Sequence, residues 1–374
     1  MPIHHLTIIT KNMAKFFLFI YVILFFVSCS SSQVVETKSK IVSLTKGETE
    51  QEFSKLFYDF QITILNTRDE VFRSIDKLYV WNGQYYIMDK TGKKNILVFS
   101  MNGDYQYSIG TPGKGHGEYA NLEDFTIDKN TGNVVLLSYP STVFVYDKTG
   151  KFLSSKKIED HTMLWNIISH KNGFVCSTNH CTYTEGEHAY LLYFFDNDFK
   201  FKDKRIPVLP SQVQLPPFVS CPLYIDDDNM ISYFDNYRSS LYLINDNDSI
   251  SVKEIKYDIS NYVPNDIFAN PMDFMSKQMD YDYVMDVIRI NNEVVVFHSN
   301  KGKIYYFRYR YGDEEAVENR YIDWMPKILC VDNGRIYSSM SPKSFSMYKE
   351  LFPDSVANLV KTQDNDMILS FKMR

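Results

Sequence analysis

Long apolar runs are scarce in this 374-residue chain. The one that stands out, Phe16–Val27, spans twelve residues, well short of the roughly 20 that a membrane-crossing helix needs. A basic excess is missing as well: 40 Lys and Arg stand against 46 Asp and Glu, a formal charge of −6. That balance argues against nucleic acid as a partner, because affinity for polyanions comes from neutralising phosphates. Cysteines are few, five in all. Apart from Cys29 they are Cys176, Cys181, Cys221 and Cys330, and four cysteines allow three pairings. Cys330 inside "KILCVD" and Cys221 beside Pro222 read as small buried hydrophobes, which leaves a Cys176–Cys181 bridge across a hairpin as the candidate disulfide.

Catalytic signatures are equally absent. The sequence holds no Gly-x-Ser-x-Gly and no His-Glu-x-x-His. Ser346 and Lys349, with Lys-Thr-Gly triplets at Lys90 and Lys148, have the spacing of a penicillin-binding site, but the triplets fall in turns and no Ser-Asp-Asn accompanies them. The acidic clusters Asp226–Asn229 and Asn245–Asp248 lack the central glycine and final glutamate of a calcium loop, and hairpin bends account for them. His180, Cys181 and His188 are the one conceivable metal set, on a spacing that is not specific. The sequence implies no cofactor and no metal.

What is present begins with an address. Lys11 and Lys15 precede the apolar run, and Ser28-Cys29 follows it. This is the order of an export signal ending in a lipobox, with Cys29 as the acylated mature N-terminus and Met13 as an alternative start. The expected layout is a signal peptide over 1–28, a polar lipidated tether over 29–50, and a folded part over 51–374. Lipid on Cys29 would hold the protein at a membrane, with the outer membrane, periplasmic or surface side, as the expected location.

The folded part repeats. Gly83, Gly132, Gly173, Asn229, Asn292 and Gly334 each sit in a turn before a short β-rich run, and a second comb of turns follows each run in phase. Each repeat reads as four antiparallel strands. Such sheets bury both faces only when stacked around an axis, so six markers predict an all-β, six-bladed β-propeller. The chain ends in a strand, "MILSFKM", which leaves the sixth blade without its outermost strand. Phe60–Leu65, ahead of the first blade, is expected to supply it. Short helical insertions are expected in blades five and six. In the first, Asn270 caps and Met272, Met275 and Met279 form a packing stripe. In the second, Ser341 caps ahead of Phe345, Tyr348 and Phe352.

"GTPGKGHGEYANLEDFTID" crowds four glycines into Gly110–Gly117, yet neither phosphate loop fits. Lys114 is followed by Gly115 rather than Ser or Thr, and the next element alternates as a strand rather than opening a helix. It reads as the connector from blade one to blade two. With "FQITILNTRDEVF", "YYIMD" and "VFVYDKTGKFLSSKKI", this stretch resembles the six-bladed β-propeller lipoproteins of Gram-negative gut anaerobes, related in pattern to NHL-repeat propellers. The resemblance covers about residues 53–374. Relatives carry Gly-Lys-Gly-Pro-Gly-Glu-Tyr where this chain has Gly113, Lys114, Gly115, His116, Gly117, Glu118 and Tyr119, and an Asn-Pro strand near the end where this chain has Asn365-Asp366. The resemblance implies a fold and an address but no chemistry.

The loops between second and third strands open on the same face as the glycine connector and gather basic and aromatic groups. They carry Lys93 and Lys94, Tyr139, His180, Tyr183 and His188, Tyr237 and Arg238, and His298, Lys301 and Lys303. His116 and Tyr119 join them from the connector. Such a face suits a glycan or a peptide, and an envelope protein is a further candidate partner. The expected role is a ligand-binding or scaffolding module. The rival is a glycan- or peptide-directed lyase or hydrolase on the same face, which would need two titratable groups with separated pKa values in one pocket.

Overall fold

Tyr85 and Ile87 lie on one side of their sheet and Tyr86 and Met88 on the other, and all four are buried. The same holds on the neighbouring strand for Leu97 and Phe99 against Ile96 and Val98. A strand alternates its side chains between two faces, so a sheet built this way needs a neighbour on each side. The computed structural model supplies them in a ring. It describes residues 40–374 apart from 45–51, 68–71, 159–162, 181–188, 209–221, 227–229, 247–249, 259–260, 263, 269, 278–279, 291, 302, 311–317, 323 and 361–365.

Six antiparallel sheets follow one another in chain order. The innermost strand comes first in each blade: Lys77–Trp81, Asp124–Ile127, Asn166–His170, Leu223–Ile225, Asp282–Ile290 and Ile328–Asp332. Each later strand adds outward. Six apolar clusters fill the six gaps between blades. Blade one sends Tyr86, Met88 and Val98 against Phe125 and Leu136 of blade two, and Leu78, Ile87 and Phe99 against Tyr337 and Ile368 of blade six. The fold is the expected six-bladed propeller.

The ring closes as anticipated, with a slightly longer strand. Phe57–Ile64 lies outside Met367–Met373 and pairs Ile62 with Leu369 and Thr63 with Ile368. A bulge interrupts the ladder at Asp59 and Phe60. Asp59 takes a φ of 54° there, and its carboxylate and carbonyl both accept from the Arg335 guanidinium. Phe53, Phe57 and Phe60 pack on Phe371, so the clasp is held by aromatic burial as well as by its ladder.

A second N-terminal strand falls within the stretch expected as tether. Lys40–Ser43 runs parallel to the outermost strand of blade four, Lys40 opposite Ile255 and Ser43 opposite Asp258, and Val42 is fully buried. It covers an edge that would otherwise present unpaired backbone groups.

The helical insertions are present. Asn270 caps Pro271–Lys277 by accepting from the Met272 amide, 3.1 Å. Ser341 caps Pro342–Tyr348 through the Ser344 amide, 3.1 Å. Phe345 and Phe352 are buried as expected, but Met272 is 73% exposed, which corrects its assignment to a packing stripe. Residue 272 is the second of its helix, and its side chain faces solvent. Met279 lies outside the described residues. Among the described residues no helix is long and apolar enough to cross a membrane. Cys176 is a free thiol with no exposed surface, so it fills the gap between blades two and three and leaves the disulfide candidate unmade on its side. Cys181 and Cys221 fall outside the described residues.

Near the axis one ion pair stitches three blades. Lys77 Nζ donates to both Asp124 carboxylate oxygens at 2.8 Å and to the Phe125 carbonyl at 2.9 Å, and Asp124 accepts the Ile167 amide at 2.8 Å. Both side chains are at most 5% exposed. Removing one member of a buried pair strands the other's charge, so Lys77→Met is expected to lose about 3–5 kcal/mol. Lys77→Met with Asp124→Asn, which keeps an acceptor for Ile167, should recover more than half of that loss. Urea unfolding of the two variants checks it, and an unchanged midpoint in the single variant would contradict the assignment.

Candidate functional site

The antiparallel blades give the ring two faces. Innermost strands begin on what we call the upper face, which carries the connectors between blades and the turns between second and third strands. They end on the lower face, at the first-to-second and third-to-fourth turns.

The upper face holds the residues singled out from sequence, in varied surroundings. The glycine connector is folded on itself: Gly113 donates to the Tyr119 carbonyl at 2.9 Å, and Gly115 donates to the Glu118 carboxylate at 2.7 Å. Gly117, at a φ of +77°, sits so close to Phe152 that a Cβ would lie 2.7 Å from its ring. The connector's own groups and neighbours thus account for its glycines. Tyr119 is buried, its hydroxyl donating to the Lys94 carbonyl at 2.6 Å, and burial pushes its phenol pKa up. It is therefore packing rather than a surface for a ligand. His298 is likewise interior, its ring against Tyr305 and Phe307. Lys93, His116 and Lys301 are exposed, as is Tyr139 at 43%. His116 stands edge-on to Phe152 at 5.0 Å, and Lys94 reaches the Asn121 side chain at 3.4 Å. Tyr183 and His188 lie outside the described residues.

Three of the candidates do meet, across blades three and four. Asp235, absent from the sequence-level set, gathers them. One carboxylate oxygen takes His180 Nε2 at 3.1 Å and the Tyr237 amide at 2.9 Å, and the other faces Arg238 Nε at 3.4 Å. The His180 and Tyr237 rings stand edge to face at 4.9 Å. Tyr262 and Tyr281 of the insertion before blade five and Tyr283 of that blade's innermost strand pack against Tyr237, which seals the cluster: the Asp235 side chain has no exposed surface and that of His180 3%. Beside the axis Lys90 completes a similar bridge, to Glu123 at 2.7 Å and over the Trp165 ring at 5.5 Å. Lys90, Arg238 and His180 on this face are matched by acids, and sequence spacing carried no sign of those pairings.

Along the axis lies a cavity of about 60 Å³, walled by innermost strands and including Lys77, Tyr79, Tyr224, Asp286 and Cys330. Asp286 faces this space where a bulge breaks the first ladder of blade five. Burial, opposed by the Val287 amide and the nearby Lys327, raises its carboxyl pKa to about 7. At the lower face a mouth of about 140 Å³ shares Tyr79, Ile225, Cys330 and Val331 with the cavity and adds Trp81, Lys129, Asp226, Asp332 and Asn333. A wider groove, about 570 Å³, lies between blades two and three on the same side, along Asn130, Ser154 and Asp198. Among the described residues no three His, Cys, Asp or Glu side chains converge as a metal would require.

Asp286 makes stability depend on pH in a defined direction. Its folded pKa, about 7, lies above the 3.8 of a free carboxyl, so the neutral form's contribution is complete below pH 4 and is lost as pH rises through 7. Asp286→Asn removes that loss. The variant should match the parent near pH 4 and exceed it by about 2 kcal/mol at pH 8, roughly half the full linkage because residue 286 is only half-buried and solvent screens its carboxylate. Urea unfolding at the two pH values measures it, and equal differences at both would contradict the assignment.

Among curated proteins none matches this chain in sequence. Among solved structures it is similar to a candidate exported protein of Bacteroides fragilis, at 15% identity and a TM-score of 0.70, over 89% of this chain and 99% of the other. Virginiamycin B lyase of Staphylococcus aureus aligns over 84% of this chain and 100% of its own, at 11% identity and a TM-score of 0.45, a likeness that carries no argument about activity. The shared architecture with the Bacteroides protein is that of the ring itself. Residues 36–366, nearly the whole folded part, match the family described as a domain of unknown function, DUF4934, and the protein belongs to that family.

Proposed function

We propose that the protein is a lipid-anchored propeller of the cell envelope that binds a ligand or holds a partner rather than transforming one. The observation that supports this is the pairing of ionisable groups under the upper-face loops: Lys77 with Asp124, Lys90 with Glu123, and Asp235 with both His180 and Arg238. A hydrolase or lyase on that face would keep an acid and a base with separated pKa values open to a substrate. Here every pair except Asp235 with Arg238, which lies within blade four, bridges neighbouring blades. Asp286 is poised near neutrality, but it faces about 60 Å³, far below the roughly 300 Å³ at which small-molecule sites begin.

The anchor reading rests on Ser28-Cys29 after the apolar run and on the place where folded chain begins. Lys40, the first residue of the strand on blade four, follows Cys29 by eleven positions. Ten intervening residues reach at most about 36 Å, so lipid on Cys29 would keep the edge of blade four close to a membrane. The exported character ascribed to the Bacteroides relative is in keeping with this.

The test is fractionation of the full chain in a Gram-negative host. The parent is expected in the membrane pellet and Cys29→Ser in the soluble fraction. Membrane association that survives Cys29→Ser overturns the anchor, and turnover of a glycan or peptide by purified protein, lost on Asp235→Asn, overturns the binding role in favour of the enzyme.

A further inference from the structure

The lower mouth of the axis is built differently from the upper face. Trp81 and Asp332 end the innermost strands of blades one and six, and each is followed by Asn-Gly. The φ values are 48° and 71° at Asn82 and Gly83, and 49° and 67° at Asn333 and Gly334. Positive φ at both central residues is the signature of the tightest hairpin turn, whose twist matches the strands it joins. Both residues are thereby fixed at the rim by short rigid turns rather than by mobile loops. Asp226 directly follows the innermost strand of blade four and is held as firmly, by Arg289 at 2.6 Å and by the Met230 amide at 2.8 Å.

From these observations we infer that the lower mouth, lined by Tyr79, Trp81, Lys129, Asp226, Asp332 and Asn333, is a binding site for one neutral pyranose ring, free or at the end of a glycan. Trp81 is partly exposed and offers an apolar ring face with a polar edge, which suits the C–H face of a sugar. Around it stand an ammonium that donates, two carboxylates that accept, and a carboxamide that does both, the complement of vicinal hydroxyls. Asn333 already donates to Asp332 at 2.8 Å, so the two side chains present their polar atoms as a unit. The mouth, about 140 Å³ and open to the lower face, is smaller than a fully enclosing small-molecule site, so it seats one ring in part and leaves the rest, with any attached chain, over the lower face. The charges nearly balance, since Asp226 is paired with Arg289 and the mouth sets one lysine, Lys129, against one further carboxylate, Asp332, so neither an acidic nor a basic sugar is favoured. This site rests on the binding-module reading only in supplying its ligand, and it does not depend on the lipid.

The experiment is a titration of tryptophan emission in the full chain with methyl α-D-glucopyranoside, methyl β-D-galactopyranoside, glucuronate and N-acetyl-leucine amide. A ligand of this size binds with about millimolar affinity, so each is carried to about 50 mM. The expected result is a saturable response to a neutral glycoside. Trp81→Ala abolishes it, and Asp332→Asn, a change at the rim that does not disturb the core, weakens it about tenfold, equivalent to 1.4 kcal/mol. Met272→Ala, at an exposed position away from the mouth, leaves it unchanged. Silence toward both neutral glycosides, tighter binding of glucuronate or of the amide, or a response untouched by Asp332→Asn overturns the proposal. A glycoside response that is lost in Arg238→Ala but kept in Asp332→Asn overturns this site while leaving the binding module in place.

Discussion

Everything in this molecule follows from sheets that have no solvent face. Each blade's second and third strands carry apolar side chains in both directions, so no blade can fold against water and each needs two neighbours. A linear stack would leave its two terminal sheets with one face bare, and closing the stack into a ring removes both ends at once. That makes the closure of blade six the step on which all six interfaces depend. It is secured by pairing the chain's first propeller strand with its last, by the Phe53–Phe57–Phe60 aromatics on Phe371, and by Arg335 on Asp59 at the bulge.

Ring closure also decides where charge can go. Innermost strands converge on the axis, where there is little room for water, so ionisable groups placed there must be paired or neutral. Lys77 with Asp124 and Asp226 with Arg289 are the paired solution, joining strands from different blades near opposite ends of the axis. Asp286, beside a small cavity, is the other, with a carboxyl that stays protonated up to about pH 7. The same reasoning extends to Asp235, whose partners come from two blades. Buried charge in this protein fixes how blades meet, and the chemistry suited to a ligand gathers where the axis opens at its lower rim.

The fold was legible because its signals are local. Period-2 alternation, Asn-Gly and Thr-Gly bends, and a terminal strand without a successor are all readable within a few residues, and together they point to the blade count and the clasp. The N-terminal strand on blade four was not legible. Lys40–Ser43 is four residues of mixed character, and only the exposed edge of a strand more than two hundred positions away gives it a reason to form. The upper-face loops were legible as a set, since strand order alone puts them on one face. Their internal chemistry was not, because it turns on Asp235, Glu123 and Asp124, which look like ordinary strand-end and connector acids until the ring closes.

By itself, then, the sequence determined the blades, their number and order, the closing strand and the export-like start, because each depends on neighbours along the chain. Only the tertiary structure decided which acids neutralise which bases, which of the aromatic candidates are interior, and that a mouth opens on the axis beside Trp81 and Asp332. Those outcomes depend on distances between residues that are remote in sequence, and a buried charge pair or a cavity exists only once the separate strands have been brought to the same point.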